Sequence, residues 1–182
     1  MTPLGASWGA TPEEQAASFP CDGLCDGSDA AYYRAVTVRT DAEHLFRWLG
    51  QLRVAPYSYD WIDNGGQRSP QRRTPGLEEL ALGQTVMRIF ELRAFEPGRS
   101  LTVVNKTHTG ARSVFGEVWV SYVISPVSEG VVRLVAKVLV RCPPGVLGWV
   151  MRALLPGGDF VMMQRQLLNL KRLAEREVQA SS

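Results

Sequence analysis

Residues 131–178, VVRLVAKVLVRCPPGVLGWVMRALLPGGDFVMMQRQLLNLKRLAEREV, decide how this chain folds. In the first ten, Arg133 and Lys137 (with Arg141 just beyond) share one parity, while Val132, Leu134, Ala136, Val138 and Val140 share the other. Side chains alternate across a strand with a period of two, so the pattern predicts a strand with one wet and one buried face. After Cys142-Pro143-Pro144-Gly145 the apolar period turns helical, first over Val146 to Leu155. Pro156-Gly157-Gly158 reads as a break, with Asp159 as N-cap of a longer helix to about Val178. Phe160, Met163, Leu167, Leu170 and Ala174 recur at 3-4-3-4 spacing, with Arg165, Lys171, Arg172, Glu175 and Arg176 mostly elsewhere. That is an amphipathic helix with one stripe to bury.

Working outward, Tyr32 to Val38 mixes aromatic and β-branched residues in alternation and predicts another strand. Thr40-Asp41-Ala42-Glu43 has the form of a capping box, with Thr40 as the cap and Glu43 reaching back to it. Leu45, Phe46, Trp48, Leu49 and Leu52 supply that helix with an apolar face, and Pro56 marks its stop. Tyr57 to Asn64 predicts a short helix capped by Asp60, and the polar Gly65–Gly83 stretch a long loop. Thr85 to Phe95, Leu101 to Thr107 and Val114 to Ile124 read as strands. They are separated by Glu96-Pro97-Gly98 and Thr109-Gly110, and Ser125-Pro126 ends the last. Residues 1–30 are rich in Gly, Ala, Ser, Pro and Asp and read as an irregular leader, 31–178 as one domain, 179–182 as a tail. Strand, helix, short helix, antiparallel strands and a long last helix make an α+β arrangement with helices on one face of the sheet. A twisted sheet that curls around such a helix without filling the gap leaves an apolar cavity, the usual form of a small-molecule site.

Composition excludes several classes. With 182 residues, 45% hydrophobic and 21% charged, the chain has the size and apolar content of one folded domain and lacks the run of apolar residues that spans a bilayer. Twenty basic against 18 acidic residues, spread along the chain, leave no basic block of the kind nucleic-acid binders carry. Cys21, Cys25 and Cys142 are too few and odd in number for a disulfide framework, and the opening residues do not have the form of a secretion signal, so the cytoplasm is expected. Cys21 and Cys25 have a spacing that could hold two metal ligands, but a structural zinc site needs four; no metal is expected. No G-x-S-x-G elbow, P-loop or dinucleotide fingerprint is present, and no cofactor is expected.

The strand and capped helix, Tyr57-Ser58-Tyr59-Asp60-Trp61-Ile62-Asp63-Asn64, and Asp159 to Lys171 resemble the bacterial polyketide cyclase/dehydrase-like branch of the START-like superfamily, also called SRPBCC proteins. The resemblance spans roughly 30–178, and Trp8-Gly9-Ala10-Thr11-Pro12-Glu13-Glu14 is similar to a stretch that often precedes the domain in this branch. It implies the helix-grip fold (START-like, Bet v 1-like): a curved antiparallel sheet around a long C-terminal helix, two short helices after the first strand, and a deep hydrophobic cavity. Its members include lipid carriers, hormone receptors, aromatase/cyclases and oxygenase subunits, so fold leaves function open. The Gly65–Gly83 loop departs from the branch in being compact and Arg-rich, and no pocket role is carried over to it.

Candidate site residues follow from the cavity. A cyclase needs polar groups that bind a carbonyl and move protons. His108, one of two histidines, is of a type that acts as acid or base near neutral pH, although Thr107, Thr109 and Gly110 around it suit a solvated turn better. Arg88 and Glu91 are three apart, so in a regular strand only one faces the cavity, and an outer face suits both better because charges are seldom buried unpaired. Tyr122 sits with Val118, Val120 and Ile124, opposite in parity to Glu117, Trp119 and Ser121; either face could line the pocket, but Tyr122 with three aliphatics reads more as the inner set, its hydroxyl either aimed at ligand or bonded within the core. Tyr57, Tyr59 and Trp61 are either a wall for a flat apolar ligand or core aromatics; Met163 and Leu167 complete the lining. The ligand-binding set is thus Tyr57, Tyr59, Trp61, Glu91, Trp119, Met163 and Leu167, and the catalytic set His108, Arg88 and Tyr122. Two functions are carried forward: a binder or carrier of a hydrophobic small molecule such as a lipid or polyketide, and a cofactor-independent cyclase/dehydratase. The expected state is monomer or homodimer, without nucleic acid or stable membrane insertion.

Overall fold

In the computed structural model, residues 6–25, 27–107, 112, 116–142 and 146–181 are described, apart from the side chains of 62–63, 146–160 and 181. The strands are β1 (Ser7–Trp8), β2 (Ala30–Val38), β3 (Thr85–Val86), β4 (Phe90–Glu96), β5 (Ser100–Asn105), β6 (Glu117–Ser128) and β7 (Val131–Arg141). Among the described residues they form one sheet in the order β1-β2-β7-β6-β5-β4-β3, antiparallel except for the β1–β2 pair. The helices are α1 (Pro12–Ala16), α2 (Ala42–Gly50), α3 (Asp60–Asp63) and α4 (Val146–Ser181). The α+β arrangement with a long last helix is the one the periodicities predict.

Four local expectations are corrected. Asp41, not Thr40, caps α2: its Oδ1 accepts from His44 N at 2.7 Å. A carboxylate there also meets the positive end of the helix dipole, which a hydroxyl does not. The single strand expected over Thr85 to Phe95 is a hairpin, because Met87 and Arg88 take left-handed φ of 47° and 64° and turn the chain between Val86 and its partner Phe90. Ser125-Pro126 does not end β6; the strand runs to Ser128 with its register shifted between Pro126 and Ser128, the bulge absorbing the proline. Nor does Pro156 break the last helix, which is continuous from Val146 to Ser181. A proline removes one backbone donor, so in a helix of 36 residues the ladder resumes beyond it, and Asp159 is an interior position rather than a cap.

The face of β7 expected to be wet is covered. Phe19, Cys21 and Cys25 of the leader pack on Ala35, Val104, Trp119, Val135 and Leu139 and make a second apolar layer outside the sheet. Cys21 N donates to Ser121 Oγ at 3.0 Å, and Ser121 in turn shares a 2.7 Å hydrogen bond with Thr102. Lys137, although on the charged parity, is only 7% exposed: its Nζ lies 2.5 Å from Asp22 Oδ1 and over the rings of Phe19 and Tyr33 at 5.2 and 5.4 Å. Arg133 is tied to Glu14 at 2.7 Å. At Gly9 a side chain would meet the Ala35 carbonyl at 2.4 Å, so the close approach of leader to sheet requires glycine there.

Candidate functional site

The inner face of the sheet reads as transverse rows once the registers are joined. Leu92, Val103, Val120, Val138 and Tyr32 form one row, and Leu101, Tyr122, Ala136 and Arg34 the next. Against these packs the buried stripe of α4: Met163, Leu167, Leu170, Leu173 and Ala174. Over this stretch the space between sheet and helix is filled by side chains. Tyr122 Oη donates to Gln166 Oε1 at 2.6 Å and lies 3.9 Å from Met163 Sδ. Gln166 Nε2 donates to the Pro56 carbonyl at 2.6 Å, and Asn169 Nδ2 to that of Tyr57 at 2.8 Å, which holds the segment after α2 along the helix. Arg34 shares parity with Tyr32 and Val36 and is fully buried; its Nη1 donates to the Ala6 and Tyr33 carbonyls at 3.0 and 2.8 Å.

The row at the other end differs. Phe90, Asn105, Val118, Val140 and Ala30 lie side by side, and Phe90, Val118 and Ala30 keep partial solvent exposure, as does Met87 beside them. Asn105 closes this row: Nδ2 donates to the Gly116 carbonyl at 2.7 Å and Oδ1 accepts from Val118 N at 3.0 Å. The sheet thus offers an apolar surface at this end that side chains do not wholly cover.

The structure brings Tyr122, Met163 and Leu167 together on the inner face and disperses the other candidates. Tyr57 is a core residue, its ring edge-to-face with Trp48 at 6.1 Å. Burial, and secondarily the charge of Asp60, push its phenol well above the usual tyrosine range. Tyr59 lies on the flank under Arg165, whose guanidinium carbon is 5.9 Å from the ring centroid. Trp61 is 76% exposed. The three aromatics therefore form no common wall, because only Tyr57 turns inward. Asp60 is the first residue of α3 rather than its cap, and its carboxylate accepts from Ser69 N and Oγ at 2.8 and 2.5 Å. Arg88 is exposed at the hairpin turn, beside Gly65. Glu91 pairs with Val104 on the outer side and bonds Arg93 at 2.9 Å. Trp119 is also on the outer face, under the leader, where its Nε1 donates to Glu117 Oε1 at 2.7 Å. His108 lies outside the described residues. Gln166 and Arg34 were missed by the sequence reading. Gln166 interrupts the apolar stripe, and Arg34 sits on the apolar parity of β2; both are polar residues at buried positions and could have been flagged for that.

Among the described residues the inner face carries no carboxylate and no histidine, and no group of three His, Cys, Asp or Glu side chains is placed to hold a metal ion. No described helix is long and apolar enough to cross a membrane.

Solved structures share this architecture. A Helicobacter pylori protein, jhp0584, aligns over 86% of this chain and 95% of its own, with 14% identity and a TM-score of 0.52. MLL2253 from Mesorhizobium loti aligns over 80% and 97%, with 16% identity and a TM-score of 0.51. The Zhui aromatase/cyclase from Streptomyces sp. R1128 aligns over 84% and 97%, with 15% identity and a TM-score of 0.50. The chain has the START-like helix-grip fold. No family model and no curated protein matches it, and at these identities the likeness is one of fold. In helix-grip terms, Tyr122, Gln166 and the aliphatic rows pack between sheet and α4, and among the described residues the row from Phe90 to Ala30 is where inner-face apolar side chains keep partial exposure.

Proposed function

We propose that this helix-grip protein binds a hydrophobic small molecule, a lipid, polyketide or related metabolite, against the inner sheet face at its partly exposed end. The observation that carries the reading is the row Phe90, Asn105, Val118, Val140 and Ala30, apolar but for one amide bonded to the backbone of Gly116 and Val118, in which Phe90, Val118 and Ala30 are only partly buried. Burying apolar surface there on binding contributes about 25 cal/mol per Å². The neighbouring row of Leu92, Val103, Val120, Val138 and Tyr32 supplies a firm apolar backing.

The cyclase reading asks for an acid or base of perturbed pKa on this surface. The inner-face polar groups among the described residues are Arg34, Asn105, Tyr122 and Gln166, and Tyr122 is already engaged with Gln166. Binding or carriage is therefore favoured over proton-transfer chemistry. The test uses N-phenyl-1-naphthylamine, a neutral apolar fluorophore, titrated into the wild type and into Val118→Trp, which fills the open row. Saturable fluorescence enhancement near one equivalent, lost in a Val118→Trp protein that melts like the wild type, is expected. Enhancement unchanged by Val118→Trp, or none that saturates, overturns the reading.

A further inference from the structure

The Arg-rich loop after α3 is tied to its neighbours at several points. Asp60 fixes it at Ser69. The fully buried Gln51 side chain both accepts from Thr74 N at 2.7 Å and donates to the Thr74 carbonyl at 3.2 Å. Arg53 Nη1 donates to the Glu79 carbonyl at 3.1 Å. Arg73 grips Glu177 of α4 through Nε and Nη2 at 2.9–3.1 Å. Between this loop, α2 and the last turns of α4 lies a cleft of about 670 Å³, within the range of small-molecule sites. It belongs to the far end of the molecule from the open row: Glu175 accepts from Arg39 N, just past the end of β2 opposite Ala30.

The chemistry of the cleft is asymmetric. Trp48, Pro75, Leu173 and Ala180 give it apolar walls. Its two carboxylates are committed to the scaffold. Glu177 takes Arg73 together with Trp48 Nε1 at 2.9 Å, and Glu78 takes Gly76 N at 3.1 Å and Arg73 at 3.5 Å. Two guanidiniums on the lining have no carboxylate partner among the described residues. Arg176 donates through Nη2 to the Gln71 carbonyl, and Arg72 has no hydrogen bond or ion pair there. Both are exposed. We propose that the cleft is a second ligand site, taking an amphipathic monoanion: one carboxylate, or a group of the same charge, on a compact apolar body. Arginine forks match carboxylate geometry, and the apolar walls hold the body. Three lining guanidiniums, Arg72, Arg73 and Arg176, against two carboxylates, Glu78 and Glu177, leave the cleft one net positive charge, which matches a monoanion.

Calorimetric titration of the full chain with naphthalene-2-carboxylate tests this independently of the open row. The expected result is one saturable site per chain, weakened about tenfold or more in Arg72→Gln/Arg176→Gln. Binding should weaken between about 50 mM and about 500 mM NaCl in the wild type and much less in that variant. Ala180→Trp, at an exposed position of the last turn, should abolish it by filling the cleft, while Val118→Trp leaves it intact. Wild-type affinity in the double arginine variant, loss in Val118→Trp instead of Ala180→Trp, or no saturable heat, each overturns the proposal.

Discussion

Truncation of Phe19 to alanine tests whether the leader is part of the folded unit. The ring is 6% exposed, edge-to-face with Tyr33 at 6.1 Å and in van der Waals company with Trp119, Val135 and Leu139 on the outer sheet face. Removing a buried phenylalanine costs about 3–5 kcal/mol in transfer and cavity terms. Here the loss has a ceiling. Once residues 6–25 undock, the missing ring contributes nothing further, so the loss saturates at the docking free energy of the leader. Other ties of the leader are the β1–β2 pairing, Arg34 Nη1 to the Ala6 carbonyl, Cys21 N to Ser121, and the Asp22–Lys137 and Glu14–Arg133 ion pairs, the hydrogen bonds worth about 1 kcal/mol each and the partly exposed ion pairs about that or less. A loss of about 2–4 kcal/mol is therefore expected, lowering Tm by roughly 4–16 °C in a chain of this size. Thiol labelling supplies a second readout. Cys21 and Cys25, on the leader, are buried against the outer sheet face and Cys142 is half-buried, and burial pushes the Cys21 thiol above its ordinary range. The wild type should label rapidly at Cys142 alone, and Phe19→Ala at all three. A change in unfolding free energy within about 0.5 kcal/mol, with Cys21 and Cys25 still protected, would refute the argument.

Three further outcomes are expected. Asp41→Ala should cost about 1 kcal/mol and lower Tm by roughly 2–4 °C through loss of the α2 cap; a melting temperature equal to that of the wild type would return the cap to Thr40. Arg88→Gly should stabilise the chain by up to about 1 kcal/mol, since it relieves a left-handed φ of 64° at an exposed turn, and should leave N-phenyl-1-naphthylamine binding unchanged; a loss of binding would give Arg88 a ligand role. Arg73 holds the Glu177 carboxyl below the usual 4.5, so the stability this pair contributes is present above that pH and is lost as pH falls through the lowered folded value. Urea midpoints measured from about pH 6 down to about pH 3 should fall less steeply in Glu177→Gln than in the wild type, and parallel profiles would remove Glu177 from the acid limb.

What could be read from the residues alone was whatever repeats locally. The period-two alternation of Val131–Arg141 and the 3-4 spacing from Met163 to Ala174 specify a strand and a helix whatever surrounds them, because each pattern is a property of consecutive side chains. From these and the order of elements the α+β architecture followed, as did the inward parity of Tyr122. What tertiary structure decided was what lies against each face. Lys137 and Trp119 look like residues of a wet surface or a pocket lining until the leader, about 100 residues away in sequence, is laid over them through Cys21 and Ser121. Tyr57, Tyr59 and Trp61 alternate in sequence, yet their segment is not a strand, and a left-handed φ of 55° at Tyr57 sends the first ring to Trp48 and leaves Trp61 in solvent. The cleft beside Trp48 depends on Arg73 meeting Glu177 across 104 residues. Local periodicity carries no information about which distant charge completes such a pair, and only folding brings the two ends of it together.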